Sequence, residues 1–135
     1  MEQATERNVT FFRFEDLRIY HKALDYITWV HDTVKNFPVD DSNNLSIKFV
    51  DSAQCIALNI AEGSARNKSQ FIYYLKMAKS SVRECLVLTT VCKNLEYIDE
   101  EKDEQSRMSL MEMTKMLGAL ISSLQRSNQG HNGDD

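Results

Sequence analysis

Five basic side chains on one predicted helix carry the strongest chemical signal in the sequence. They form what we call the basic stripe: Lys68, Lys76, Lys79, Arg83 and Lys93. At 100° per residue on an ideal helix, they fall within an arc of roughly 100°. Residues 64–98 contain six lysines and arginines against two glutamates, although the whole chain carries a net charge of −4. Cations on one face bind a phosphate backbone by releasing its counterions, so the stripe is a candidate nucleic-acid-binding site.

The same charge pattern is compatible with two roles that involve no nucleic acid. The last predicted helix opens with Asp99, Glu100 and Glu101, whose carboxylates could face the basic stripe within one subunit or between subunits. The stripe could also be a solvated face, because charge runs on helices are usually exposed to water and exposed ion pairs contribute little. The sequence leaves these alternatives open.

No catalytic or metal-binding constellation is evident. Di-iron centres in helical bundles use Glu-x-x-His pairs, but neither His21 nor His31 has a glutamate three residues before it. Asp51 and Glu62 on the second predicted helix are a weak signal for acid–base chemistry. We therefore predict that the protein is not an enzyme and that it uses no metal, no cofactor and no small-molecule substrate.

Composition indicates one globular domain. The 135 residues are 42% hydrophobic and 27% charged, with only four glycines and one proline, as expected of long helices joined by short connections. The polar N-terminus has no apolar run, so we expect no signal peptide, no membrane contact and a cytoplasmic location. The three cysteines lack Cys-x-x-Cys spacing and are expected to be small buried hydrophobes. His31 falls on the apolar face of the first helix and is expected in the core.

Hydrophobic periodicity places these residues on four helices. We predict a flexible arm over 1–13, helices over about 15–36, 41–63, 68–97 and 100–125 within a bundle spanning 14–126, and a disordered tail over 127–135. Phe37-Pro38 ends the first helix, because a residue before proline is disfavoured in the α region. The short connections force neighbouring helices to lie antiparallel, so the predicted fold is an all-α, antiparallel up-down four-helix bundle.

The second predicted helix is apolar on nearly all sides. Its first face carries Leu45, Phe49, Ala53, Ile56 and Ile60, and its opposite face also carries apolar residues. Because each helix of a monomeric bundle keeps an outer face, the second apolar face predicts a homo-oligomer. The alternative is one deeply embedded helix under covering loops. The candidate interface residues, which include an outward-facing tryptophan, are Trp29, Ile47, Val50, Ala57, Leu58 and Ala61.

Three residues are expected to shape the connection between the second and third helices. Gly63 follows an unbroken helical pattern and is predicted to end the helix in the left-handed conformation. Asn67 is predicted as the N-cap of the third helix, in a capping box with Gln70. Asn59 falls on the same face as Ile56 and Ile60, so its amide is expected to be buried.

Several of these motifs resemble a known family. Phe14-x-x-Leu17, Phe37-Pro38, the Asn-Ile-Ala-Glu-Gly run over 59–63 and the run over 71–81 resemble the four-helix-bundle proteins whose founding members are encoded in intervening sequences of 23S ribosomal RNA genes. The similarity covers about residues 12–126. It implies a ring-like homopentamer and a relationship to the accessory variability determinant proteins of diversity-generating retroelements. Those relatives are basic barrels considered to bind nucleic acid and a reverse transcriptase, and most members have no known function.

Two functional hypotheses follow. In the first, a non-catalytic homo-oligomer contacts structured RNA or a nucleoprotein through the basic stripe. In the second, the homo-oligomer is a protein-interaction scaffold that binds no nucleic acid and uses Trp29 and the outer face of the second helix. Many relatives carry two arginines in the middle of the second helix, where this chain has Val50 and Asp51. The third-helix stripe is therefore the feature that supports the first hypothesis.

Overall fold

A computed structural model describes residues 11–130, with side chains described through Ser127. A short 3-10 helix spans Arg13–Asp16. Four α-helices follow: α1 (Arg18–Val34), α2 (Leu45–Ser64), α3 (Lys68–Asn94) and α4 (Glu100–Gly130). Over residues 11–130 there is no β-strand, so this part of the chain is all-α. α1 packs against α2 and α4, and α3 packs against the same two helices, which gives a four-helix bundle.

Several helix ends differ from the predicted ones. α1 ends at Val34 rather than residue 36, and α2 begins at Leu45 rather than residue 41. α1 begins at Arg18 rather than residue 15, because Leu17 is extended and serves as its N-cap. α4 continues to Gly130 instead of ending at residue 125. No glycine or proline interrupts the chain between Gly118 and Gly130, so nothing stops the helix at the predicted place. Residues 1–10 of the expected arm and residues 131–135 of the expected tail lie outside the described residues.

The core is formed by the apolar faces of all four helices. Phe49, Ile56 and Ile60 of α2 are fully buried, as are Leu75 of α3 and Met113 of α4. Spacings of three and four residues bring such side chains onto one side of each helix, where neighbouring helices remove them from water. This burial is the main stabilisation of the bundle and holds α3 and α4 side by side.

A chain of buried hydroxyl groups crosses the core. The Oγ of Ser106 lies 2.7 Å from the hydroxyl oxygen of Tyr26 and 2.7 Å from Thr89 Oγ1. Thr89 donates its own hydrogen to the carbonyl of Cys85, at 2.8 Å. Because Thr89 uses its hydrogen there, Ser106 must donate to Thr89, and Tyr26 must donate to Ser106. The sequence pattern did not single out any of these three hydroxyl groups.

Around the connection between α2 and α3, the structure confirms one of the three predicted residue roles and corrects the other two. Asn67 is the N-cap of α3, and its Oδ1 accepts a hydrogen bond of 2.9 Å from the backbone N–H of Gln70. Gly63 does not adopt the predicted left-handed conformation, because α2 continues through it to Ser64. Asn59 is half-buried rather than buried, and its Nδ2 donates to the carbonyl of Cys55 at 2.9 Å. Its amide is thus satisfied by its own helix.

α3 ends in a Schellman motif that the sequence did not reveal. Glu96 has a positive φ of 65°, and its N–H donates to the carbonyl of Lys93 at 3.0 Å. The N–H of Tyr97 donates to the carbonyl of Cys92 at 2.8 Å. These bonds satisfy the last carbonyl groups of the helix. The left-handed position usually belongs to glycine, so the expected helix over 68–97 stops at Asn94 without the usual sequence signal.

Two further side chains were wrongly expected in the core. His31 is exposed at the edge of the apolar face of α1, and Cys55 is exposed on α2. Both lie where the helix surface passes from core to solvent, and an ideal helical wheel does not locate that boundary. Cys85 and Cys92 are buried as expected.

Candidate functional site

A basic groove of about 610 Å³ runs between α3 and α4. Lys76, Lys79 and Arg83 of α3 line it, and their spacing of three and four residues places them on one face of the helix. We call this feature the basic groove. The other residues that line it are Tyr73, Met77, Ser80, Gly118, Ile121, Ser122 and Gln125.

The floor of the basic groove is open because α4 has a glycine there. A Cβ on Gly118 would have the Nζ of Lys79 as its nearest neighbour, at 4.0 Å. Lys79 is half-buried, whereas Lys76 and Arg83 are exposed. Arg83 donates from Nη2 to Ser80 Oγ at 3.2 Å. Lys79 therefore lies beside a space that no α4 side chain fills at this position, and Lys76 and Arg83 line the same groove.

No carboxylate neutralises these cations within the groove. Of the described residues, the ten that line it include no aspartate or glutamate. The ion pairs found between described residues involve other lysines and arginines, such as Lys93 with Glu100 and Lys22 with Glu112. Three cations without a nearby anion produce a positive potential at the groove, even though the chain as a whole is acidic.

The ends of the basic stripe are occupied by contacts with α4. The Nζ of Lys93 lies 3.0 Å from Glu100 Oε1, and this hydrogen-bonded ion pair raises the pKa of Lys93. The Nζ of Lys68 donates to Ser127 Oγ at 2.9 Å. The structure thus brings Lys76, Lys79 and Arg83 together in one groove and separates Lys68 and Lys93 from them. The Lys93–Glu100 pair agrees with the alternative in which the acidic start of the last helix faces the basic stripe within one subunit, whereas the contact with Ser127 was not predicted.

An aromatic side chain that the sequence pattern did not single out also lines the groove. Tyr73 is 58% exposed, and it precedes Lys76 by three residues on the same face of α3. Its ring is nearly perpendicular to that of Tyr74, with 5.4 Å between ring centroids. Tyr74 in turn carries the guanidinium of Arg66 over its ring at 5.3 Å. The three-residue spacing between Tyr73 and Lys76 is the sequence feature that could have identified Tyr73 as part of this face.

The predicted interface residues on α2 differ in how exposed they are. Ile47 and Leu58 are exposed, at 59% and 63%, while Val50 and Ala61 are half-buried and Ala57 is buried. Three of these five residues line an apolar groove of about 530 Å³ between α1 and α2. The full lining is Phe14, Tyr20, Leu24, Ile27, Gln54, Ala57, Leu58 and Ala61.

Trp29 does not project freely outward as predicted. It is half-buried between α1 and α4, where its Nε1–H donates to Gln105 Oε1 at 2.9 Å. Its ring lies nearly parallel to that of Tyr26, at 5.7 Å between centroids, and edge-on to Phe49 at 6.4 Å. Trp29 therefore has intramolecular partners on both its polar and apolar sides, which removes most of the reason to assign it to an interface.

Metal-binding clusters and membrane-spanning helices are both absent from the described part of the chain. Among the described residues, no group of three or more His, Cys, Asp and Glu side chains is placed to hold a metal ion. Over residues 11–130, none of the helices combines the length and apolar character needed to cross a membrane.

The all-α bundle and its sequence define the class of protein. Residues 15–119 match the family described as 23S rRNA-intervening sequence protein, so the chain belongs to that family. A crystal structure of a protein of unknown function from Bacteroides thetaiotaomicron, assigned to the S23 ribosomal protein family, has a similar fold. Its TM-score is 0.69 at 22% identity, over 77% of this chain and 95% of that one. No curated protein matches the sequence.

Proposed function

We propose that the protein is a non-catalytic, homo-oligomeric, cytoplasmic bundle that binds structured RNA or a nucleoprotein through the basic groove. The observation that carries this proposal is the set of three cations, Lys76, Lys79 and Arg83, that share a groove lined by no carboxylate. Placing like charges together raises the electrostatic free energy of the free protein, and a bound polyanion relieves it.

Salt provides the first test. If the three cations contact three phosphates, log K should fall against log salt with a slope of about −2 for a single strand and nearer −3 for a duplex. Contacts dominated by apolar surface would show little salt dependence. The probe is a fluorescently labelled RNA hairpin with a single-stranded tail, titrated with the full chain.

A matched pair of variants assigns the binding to the groove. The groove variant replaces Lys76, Lys79 and Arg83 by Gln, and binding should weaken at least about ten-fold. The control makes the same change of net charge at three exposed lysines elsewhere, namely Lys35, Lys48 and Lys115, and should bind as the unaltered protein does. Equal loss in both variants would mean that only overall charge matters, and retained binding by the groove variant would overturn the proposal.

We also propose that the bundle has antiparallel up-down topology and assembles into a ring, with a homopentamer as the expected state. Exposed Ile47 and Leu58 on the outer face of α2 support an apolar contact between subunits. Light scattering should give a mass near five times 15.6 kDa. Leu58→Glu should dissociate the assembly, whereas Val39→Glu, at an exposed loop residue, should not. A monomeric unaltered protein would refute this part of the proposal.

The apolar groove between α1 and α2 favours a second candidate function, a protein-interaction scaffold. Leu24 and Leu58 line it and are both exposed. Binding of a partner protein that persists at high salt, is lost in Leu24→Glu, and occurs without RNA would support this function over the first.

A further inference from the structure

We propose that the ligand of the basic groove is a short single-stranded segment of RNA, with one base stacked on Tyr73. This inference rests on the proposed function and specifies the form of the nucleic acid. It follows from the length of the groove's charged region, the exposed aromatic ring at its end and the polar groups on its α4 side.

The charged region is short. Lys76 and Arg83 are separated by seven residues of helix, or about 10 Å along its axis at 1.5 Å per residue. A strand that is stacked as in a duplex has one phosphate per about 3.4 Å of axis, so this length matches about three phosphates of such a strand. Lys68 and Lys93, which would extend the region in both directions, are already bonded to Ser127 and Glu100. The groove therefore fits a footprint of about three nucleotides rather than a long backbone.

Tyr73 supplies a stacking surface beside the charges. Its side chain is 58% exposed, and one helical turn separates it from Lys76. The perpendicular contact with Tyr74 restrains the ring without covering both of its faces. A base that stacks on a tyrosine needs a free π face, which bases of a single strand have and paired, stacked bases inside a duplex lack.

The α4 side of the groove offers polar groups rather than charges. Ser122 and Gln125 line it opposite the cations, and both side chains are exposed. The amide of Gln125 can donate and accept hydrogen bonds, which suits the edge of an unpaired base. The α3 wall therefore carries cations, and the α4 wall carries an amide and a hydroxyl. This arrangement matches a phosphate backbone that lies along α3, with its bases directed towards α4 and Tyr73.

A comparison of two RNA probes tests the inference. Fluorescence anisotropy is measured with labelled oligouridylate and with a blunt RNA duplex of the same length, each titrated with the full chain. The single strand should bind more tightly than the duplex, with a salt slope near −2. Tyr73→Ala should weaken binding of the single strand roughly five-fold or more and leave duplex binding unchanged, whereas Tyr73→Phe should retain single-strand binding. Circular dichroism confirms that each variant is folded.

The outcomes separate this inference from the proposed function. Duplex binding equal to or tighter than single-strand binding, abolished by the groove variant, would overturn the single-strand inference while the proposed function stands. Single-strand binding that is unaffected by Tyr73→Ala would overturn the stacking role. Binding of neither probe would overturn the single-strand inference, and the proposed function would fall with it if the hairpin with a single-stranded tail also failed to bind.

Discussion

Gly63 of α2 lies so close to Tyr74 of α3 that a Cβ on the glycine would be 2.6 Å from the Cβ of the tyrosine. The same Cβ would also lie 3.0 Å from a ring carbon of Phe71. The two helix backbones can approach this closely only because Gly63 has no side chain. The glycine therefore sets how α3 leaves the connection, and through α3 it positions the helix that carries the basic groove.

Two glycine-to-alanine substitutions should have opposite effects on stability. Gly63→Ala should lower the free energy of unfolding by about 1–3 kcal/mol, because the methyl group overlaps Tyr74. Gly118→Ala should raise it by about 0.5–1 kcal/mol, since alanine favours the helix and its methyl group meets Lys79 Nζ only at 4.0 Å. Urea denaturation measures both values. A destabilised Gly118→Ala protein, or an unaffected Gly63→Ala protein, would contradict the packing described.

The end of α3 offers a stabilising substitution. Glu96 has a left-handed backbone with φ of 65°, which costs a non-glycine residue about 1 kcal/mol. Glu96→Gly should remove that cost and raise the melting temperature by several degrees, as measured by calorimetry. Glu96→Ala serves as the control, because it removes the same carboxylate and keeps the Cβ. If both variants gain equally, the gain comes from the lost charge and not from the backbone.

Local signals account for what the sequence could predict. Asn67 caps α3 by accepting a hydrogen bond from the residue three positions later, so its role can be predicted from the neighbouring sequence alone. The four-helix, all-α class likewise follows from hydrophobic periodicity within each segment. The basic stripe was visible for the same reason, since its members share one helix.

Contacts between helices account for what the sequence could not predict. A glycine at a helix end can serve a left-handed turn or a close approach, and only the position of Tyr74 shows that Gly63 serves the second. The three cations of the groove could not be separated from Lys68 and Lys93 without Ser127 and Glu100, which belong to another helix. Trp29 looked exposed because its partner Gln105 is distant in the sequence.

The buried hydroxyl chain should respond unequally to removal of its members. Ser106→Ala removes the acceptor that lies 2.7 Å from the Tyr26 hydroxyl, and the donor to Thr89, at a cost of about 1–3 kcal/mol. Tyr26→Phe removes the Tyr26 hydroxyl and leaves Ser106 bonded to Thr89, so we expect a loss of only about 1 kcal/mol. Adding Tyr26→Phe to Ser106→Ala should restore part of the stability. Chemical denaturation of the two single variants and the double variant checks this order, and additive losses would argue against the inferred direction of donation.

The three thiols should differ in reactivity. Burial raises the pKa of Cys85 to about 12 and that of Cys92 to about 11, so almost no thiolate forms at neutral pH. Cys55 is exposed on α2. A maleimide added to the native protein should therefore modify one site, identified by mass spectrometry as Cys55, and Cys55→Ser should abolish the labelling. Labelling of all three cysteines should require denaturant.

The hydroxyl chain also affects how α1, α3 and α4 are aligned along their long axes. Apolar contacts are non-directional, so they discriminate less sharply than hydrogen bonds between alternative alignments of two helices. Tyr26, Thr89 and Ser106 lie on α1, α3 and α4, and their bonds of 2.7 Å form at one alignment only. A shift by one turn would leave buried hydroxyl groups without partners. The three hydroxyl groups therefore favour one alignment of α1, α3 and α4 over alignments shifted along the helix axes.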